Sequence, residues 1–293
     1  MTPYEIIADI KSERVKKVIF DGDTGADGDD QFALGLALRS PKMNVVAANS
    51  APFNDDSADM AAAGKLENDE IIAAAGMTGQ VKSCCGSPDF ITRAGAPMTS
   101  EAAENIIRVC RESDEPVYII ISGCCTNVAC ALALAPDIAD KLVVVWLGLD
   151  NLAGQRNTCE YNYHNDIEGG KLLFSLAKNM VLAVAGRLVA PFQRSNEQII
   201  NLYAHGDELC RWLANRFCEI SWAQGLWDYC ADGVLAFPEA FTYEVVNTPV
   251  FKENGEIEAF DENRQMVAIN SVDAEYLMTE ALKLMGVYKG DIF

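Results

Sequence analysis

The stretch Val18-Ile-Phe-Asp21-Gly-Asp23-Thr-Gly25-Ala-Asp27-Gly-Asp29-Asp30-Gln-Phe-Ala-Leu34 decides how the rest of this chain is read. An apolar run ends at Phe20, five carboxylates follow within ten residues, and the chain then turns amphipathic. Carboxylates this close repel one another unless a cation or bound protons neutralise them. Asp also suits turns and helix N-termini, so a solvated acidic turn is the plain alternative. The regular strand and helix patterns on either side favour a ligand site, because open α/β sheets bind ligands at the carboxyl ends of their strands.

Outward from this loop, short apolar β-rich runs alternate with segments of helical period. Strands are expected at 15–20, 44–51, 70–75, 117–122, 142–147 and 180–185, and helices at 29–39, 55–67, 100–112, 127–135 and 166–178. Runs such as Val117-Tyr-Ile-Ile-Ile and Leu142-Val-Val-Val-Trp are apolar on both faces, as strands of a covered parallel sheet are. Segment 76–99 reads as a loop. Residues 193–232 read as helical and carry three of the four tryptophans. Beyond them, 241–251 and 256–260 around Asn254-Gly255 read as a hairpin with a type I′ turn, followed by a strand at 265–269 and a helix at 273–285. The expectation is an α/β chain: an open, mostly parallel, Rossmann-like sheet with helices on both faces and a small C-terminal antiparallel hairpin. No repeat or linker divides it, so 1–293 reads as one domain.

Composition narrows the partners. A net charge of −20 argues against nucleic acid and anionic membrane surfaces, which need a Lys/Arg surplus. No apolar run is long enough to span a membrane, and the first residues lack a secretory signal pattern. A cytoplasmic location is expected. The ten cysteines include no C-x2-C pair and read as buried, reduced thiols. His164 and His205 are the only histidines and have no ligand spacing to a cysteine, which argues against zinc.

Polar residues recur just after the expected strands: Asp21 to Asp30, then Asn54, then Thr126-Asn127, then Asp150, Asn151, Asn157, Glu160 and Asn162. A parallel sheet gathers these loops at one rim. Singly, each is more commonly a turn former or a cap; Thr126 could be an N-cap. Oxygen donors without histidine or thiolate spacing suit a hard cation, and no EF-hand loop is present.

These residues resemble a family. D-x-D-x-G-x-D-x-D-D is similar to the N-terminal signature of the nucleoside hydrolases, in a bacterial variant with a longer loop. Residues 47–54 resemble its strand ending in a ribose-binding Asn. Gly123-Cys-Cys-Thr126-Asn127-Val-Ala resembles its G-G-x-T-N-[IL]-A segment. Glu160-Tyr161-Asn162 with Asp166-Ile-Glu resembles its E-F-N…D-P-E segment, and Trp227-Asp228 its late metal-binding Asp. The resemblance implies hydrolysis of a ribonucleoside to ribose and free base around one Ca²⁺. It implies metal ligands Asp23, Asp30, Asp228 and the Thr126 carbonyl, with Asp29 as general base. It implies ribose contacts from Asn54, Glu160 and Asn162, with Asn157 a further candidate, and a dimeric or tetrameric assembly. Asp27 could replace Asp29 as base or join the ligands, because the loop is longer. Cys124 and Cys125 stand where the family has small residues. Trp227 stands where many members have a histidine acid; it would stack on the leaving base and favour purines, or else pack in the core.

Two other readings compete. Val-Ile-Phe-Asp21-Gly-Asp23 resembles the nucleophile strand of haloacid-dehalogenase-like phosphatases, although Gly25 stands where that family needs Thr. The chain could also be a non-catalytic, calcium-bound ribosyl-binding protein.

Overall fold

The computed structural model describes residues 1–53, 60–153, 157–220 and 225–290. Among these residues eight strands form one sheet: β1 (Lys16–Gly22), β2 (Met43–Ser50), β3 (Lys82–Cys84), β4 (Val117–Ile121), β5 (Leu142–Gly148), β6 (Asn179–Val184), β7 (Phe241–Phe251) and β8 (Ile257–Val272). Their order is β3-β2-β1-β4-β5-β6-β8-β7. All neighbours pair in parallel except β7 and β8, which are antiparallel. The order reverses between β1 and β4, and a doubly wound sheet opens its ligand crevice outside such a reversal.

Alternation along the strands splits the core in two. Val18 and Phe20 face one apolar layer, and Ile19 faces the other. The first layer holds α1 (Pro3–Ile10), α2 (Asp29–Arg39), α3 (Met60–Ala74) and residues of the helices described next but one. The second is built on α4 (Ile91–Ala94), α5 (Glu101–Glu112), α6 (Thr126–Leu134), α7 (Tyr161–Asn165) and α8 (Ile167–Leu176). The chain then returns to the first layer through α9 (Ala185–Leu188), α10 (Asn196–Tyr203), α11 (Glu208–Ile220), α12 (Tyr229–Ala236) and α13 (Ala274–Leu284). Strands β4, β5 and β6 are buried along their whole length, which is why they carry no polar alternation.

Three expectations are corrected. The strand expected at 70–75 is helix: Ala61, Gly64, Asn68, Ile71 and Ile72 form one buried helical face, and α3 runs on to Ala74. The strand lies later, where Lys82–Cys84 pairs with β2, so the expected loop 76–99 contains β3 and α4. The C-terminal turn is not type I′. Among the described residues Leu149 alone, apart from glycines, has positive φ, so Asn254 does not. Gly255 (φ +86°) donates its N–H to Lys252 O at 3.0 Å, which makes a type I turn closed by a glycine bulge. Beyond it, the two expected strands are the single strand β8, which pairs with both β7 and β6. The helix expected at 55–67 begins partly outside the described residues.

Asp166, fully buried, ties the second layer together. It accepts hydrogen bonds from the Ile91 and Thr92 amides, the Thr92 hydroxyl, the Gly169 amide and Thr126 Oγ1, at 2.6–3.0 Å. One carboxylate thus caps α8, starts α4 and anchors α6. Asp166→Asn places an amide donor among donors and removes the charge from these bonds. It should lower stability by about 3 kcal/mol in a urea titration. An unchanged midpoint would show that the network contributes nothing net.

Candidate active site

The acidic loop opens at the β1–β4 reversal, as the strand order requires. Asp21 is the last-but-one residue of β1 and lies beside Asn49 in the β2 register. It is fully buried and accepts from Asn49 Nδ2 at 2.9 Å and from Asn127 Nδ2 at 3.2 Å. Asn127 also donates to Ser50 O and accepts from the Ser87 amide. Burial pushes the Asp21 carboxyl up to about 7, and the two amide donors pull against that. Asp21 therefore joins β1 to β2 and α6 and does not line the cavity.

The cavity above it measures about 400 Å³. Asp23, Asp27, Asp29 and Asp30 line one side, with Trp227 and Asp228 from the start of α12. Ser122, Leu147 and Asp150 come from the ends of β4 and β5, Glu160, Tyr161 and Asn162 from the start of α7, and Ala185, Gly186 and Val189 from the end of β6. No Lys, Arg or His is among them.

Asp23, Asp29, Asp30 and Asp228 are only 2–6% exposed, so water cannot screen their mutual repulsion. Asp30 accepts from Ser122 Oγ at 2.6 Å, and Asp23 and Asp228 line the same cavity. Burial, then the nearby Asp27, pushes the Asp30 carboxyl up to about 7. Burial followed by the neighbouring carboxylates also raises Asp23, Asp29 and Asp228. Asp29 begins α2 and its Oδ2 accepts the amides of Trp227 at 2.9 Å and Asp228 at 3.2 Å. It therefore fixes where α12 enters the site.

Asp27, Asp29 and Asp30 each bring a carboxylate oxygen within 4.8 Å of the others, a grouping that could hold a metal ion. The donor set fits a hard cation: the donors are carboxylate oxygens in a desolvated pocket, with no basic side chain among the described residues lining it. The grouping meets the ligand set expected from sequence at Asp30 and adds Asp27 and Asp29. Asp23 and Asp228 lie outside that grouping and line the same cavity. Thr126 starts α6, fully buried, with its hydroxyl on Asp166, and is not among the lining residues. Cys125 rather than Thr126 occupies the N-cap position of its helix, without a side-chain capping bond.

The two cysteines near the site do not crowd it. At Gly123 a side chain would overlap the Asp23 carboxylate, so the position that must be bare is bare. Cys124 Sγ is directed to Pro52 O at 3.0 Å, and Cys125 packs in the second core layer. All ten cysteines are free thiols.

Of the expected ribose contacts, Asn54 lies outside the described residues. Asn162 lines the cavity with its amide nitrogen donating to Ser122 O at 2.6 Å and Leu147 O at 2.9 Å, which leaves its oxygen for a ligand. Glu160 caps α7: its carboxylate accepts the amides of Leu149, Asn162 and Tyr163 at 2.9–3.0 Å, and burial pushes it up to about 7. Asn157 is buried off the cavity wall, where its oxygen accepts the Asn151 amide at 2.9 Å. Its part is to close the loop after β5. Trp227 lines the cavity and also packs on the first core layer. Sequence reading brought Asp150 to this rim without giving it a role, and it missed Tyr161 as a cavity residue although Tyr161 lies inside the Glu160-Tyr161-Asn162 motif.

With this geometry, the sequence profile of the inosine-uridine preferring nucleoside hydrolase family matches residues 18–278, and the chain belongs to that family. The pyrimidine-specific ribonucleoside hydrolase RihA of Salmonella newport is 30% identical over 187 residues, which cover 57% of this chain and 59% of that relative. RihA of Citrobacter koseri is 31% identical over 190 residues, with the same shares. The match thus spans well under two thirds of either relative's length. Among solved structures, the purine-preferring ribonucleoside hydrolase from Gardnerella vaginalis superposes with a TM-score of 0.71 at 19% identity, covering 93% of this chain and 99% of that one. The inosine-uridine preferring nucleoside hydrolase from Bacillus anthracis superposes at 0.70 with 15% identity, covering 93% and 100%. These likenesses carry the fold.

The raised carboxyls set a pH dependence. Asp21, Asp30 and Glu160 sit at about 7 in the folded chain, above their ordinary unfolded values near 4. The native state then binds more protons than the unfolded state across that interval, so stability falls as pH rises from about 4 to about 7. In chelator, the melting temperature should be higher at pH 5 than at pH 7.5. A flat profile would mean that these groups are not desolvated as described.

Proposed function

We propose that this protein hydrolyses the N-glycosidic bond of ribonucleosides to ribose and free base. The observation that carries the reading is the ring of buried carboxylates at the strand-order reversal, in a chain of this family. As the bond to the base breaks, the sugar gains positive charge. Carboxylates already desolvated and held in place favour that state over the neutral substrate. The family assignment sets the phosphatase alternative aside. A non-catalytic ribosyl-binding protein remains the second reading, because it would keep the same cavity.

We assign the resident cation as Ca²⁺, held by Asp23, Asp30, Asp228 and the Thr126 carbonyl, with Asp27 as a possible further ligand. When bound, it neutralises the carboxylates and orients the sugar diol and a water. Asp29 acts as general base. Its fixed Oδ2 on two backbone amides holds the other oxygen in a set direction, and its raised affinity for protons suits a base working near neutral pH. Asn54, Asn162 and Glu160 take ribose hydroxyls. Trp227, part of the cavity wall, stacks on the base and favours purines; stacking also stabilises a base that is acquiring a proton. The names of the relatives include both pyrimidine-specific and purine-preferring enzymes, so this preference rests on Trp227 alone.

Reducing-sugar release should be measured with calcium over purine and pyrimidine nucleosides. Turnover of at least one is expected, with Asp29→Asn slower by ~10²–10⁴-fold. Full activity in that variant would pass the base role to Asp27, and no turnover by the parent would favour the binding protein. Equilibrium dialysis should show calcium bound by the parent and much less by Asp30→Ala. Calcium at a hundred times its dissociation constant should add about 2.7 kcal/mol of stability. Trp227→Ala should lose more kcat/KM on inosine than on uridine; equal losses with a lowered melting temperature would leave Trp227 a core residue.

A further inference from the structure

The end of β5 is built in a way the proposed reaction does not by itself explain. Leu149, immediately after the strand, has φ +60°, the one positive value outside glycine among the described residues. A branched residue in that region is strained by order 1–3 kcal/mol and persists where its surroundings dictate it. Here they do: its N–H is held by Glu160 Oε2 at 3.0 Å, and its carbonyl by the Gly186 N–H at 3.3 Å. The strained turn delivers the next residue, Asp150, to the cavity wall on the β5–β6 side, away from the β1 loop. Gly186 makes room for it: a Cβ there would lie 2.5 Å from Asp150 Oδ1 and closer still to its backbone carbonyl. The other carboxylate oxygen, Oδ2, accepts from Asn151 Nδ2 at 2.8 Å.

We propose that Asp150 is a specificity-determining residue: Oδ1 accepts the primary 5′-hydroxyl of the substrate, and its charge turns away nucleosides carrying an anionic 5′ group. The assignment rests on the nucleoside reading above. With the sugar diol at the β1 loop and the base against Trp227, Val189 and Ala185, the 5′ end is the polar group left for the β5 side. Glu160, assigned a ribose hydroxyl above, already carries three backbone amides on its carboxylate, so the open acceptor on this side is supplied by Asp150. Asp150 gives one oxygen to Asn151 and keeps the other. Among the described residues no Lys, Arg or His lines the cavity to receive a phosphate.

The test compares a nucleoside, its 5′-deoxy analogue and its 5′-monophosphate in the parent, Asp150→Asn and Asp150→Ala, with calcium present. The asparagine variant preserves shape where alanine might disturb the turn, and melting temperatures report folding. In Asp150→Ala the kcat/KM preference for the nucleoside over the 5′-deoxy analogue should fall roughly 10- to 100-fold, the span of one charge-assisted hydrogen bond. In Asp150→Asn, the monophosphate should gain on the nucleoside by about tenfold or more, while part of the hydroxyl preference remains. Gly186→Ala, which crowds the carboxylate, should move the first ratio in the same direction. If the parent binds nucleosides without cleaving them, the nucleoside hydrolase reading fails, and the same ratios are read as Kd values by calorimetry. Ratios unchanged by the Asp150 variants, in rate or in binding, would overturn the role of Asp150 and leave the reaction itself untouched.

Discussion

The constraint on which this structure depends is the crowding of like charges at the carboxyl end of β1. Asp23, Asp29 and Asp30 from one short segment, and Asp228 from the start of α12, share a volume that water barely reaches, with Asp21 buried beneath them. Each is tied to something different. Asp21 is held by amides from β2 and α6, Asp30 by the Ser122 hydroxyl after β4, and Asp29 by the first amides at the α12 end. These bonds cost the carboxylates their water, but they fix their positions. A cluster so held is expensive without a counter-charge, since removing ions from water costs several kcal/mol each even after relaxation.

The rest of the fold supplies rigidity for that arrangement. Strands β4, β5 and β6 are covered on both faces, so the loops that leave them start from fixed points. Asp166 couples the segment after β3 to Thr126 and α8 through a single buried carboxylate, so α4, α6 and α8 share one anchor. Leu149 accepts a strained conformation at the same rim. The stabilising material is apolar and lies in the two core layers, while the destabilising material is ionic and lies at the opening. Such a division is common where a site must hold charge ready for a reaction.

The chain alone determined much of this. Continuous apolar runs at 117–121 and 142–147 announce a doubly covered parallel sheet, because burial on both faces abolishes alternation. The start of α2 at Asp29 is legible because the carboxylates end where helical periodicity begins. Ordered motifs from Asp21 to Asp228 carry the family, and with it the identity of most cavity residues. These features are local or ordered along the chain, and one sequence displays them directly.

Other features were decided by tertiary contact. Residues 70–75 have β-like composition, yet they complete the buried face of α3, and which of two short apolar runs pairs with β2 depends on packing rather than propensity. The turn at Asn254-Gly255 is a bulged type I rather than type I′: Gly255 takes the positive φ where it packs against Ile167 and Thr158, and its carbonyl accepts from the Tyr163 hydroxyl at 2.7 Å. Asn157 and Glu160 look alike as polar residues before a helix, but one closes a loop and the other caps α7 at the cavity wall. Asp150 is one more turn residue until the strain at Leu149 and the bare Gly186 give its carboxylate a direction. A sequence states which charges are present. Where each one faces is set by partners far along the chain, because an oxygen can accept only from donors that the fold brings within about 3 Å.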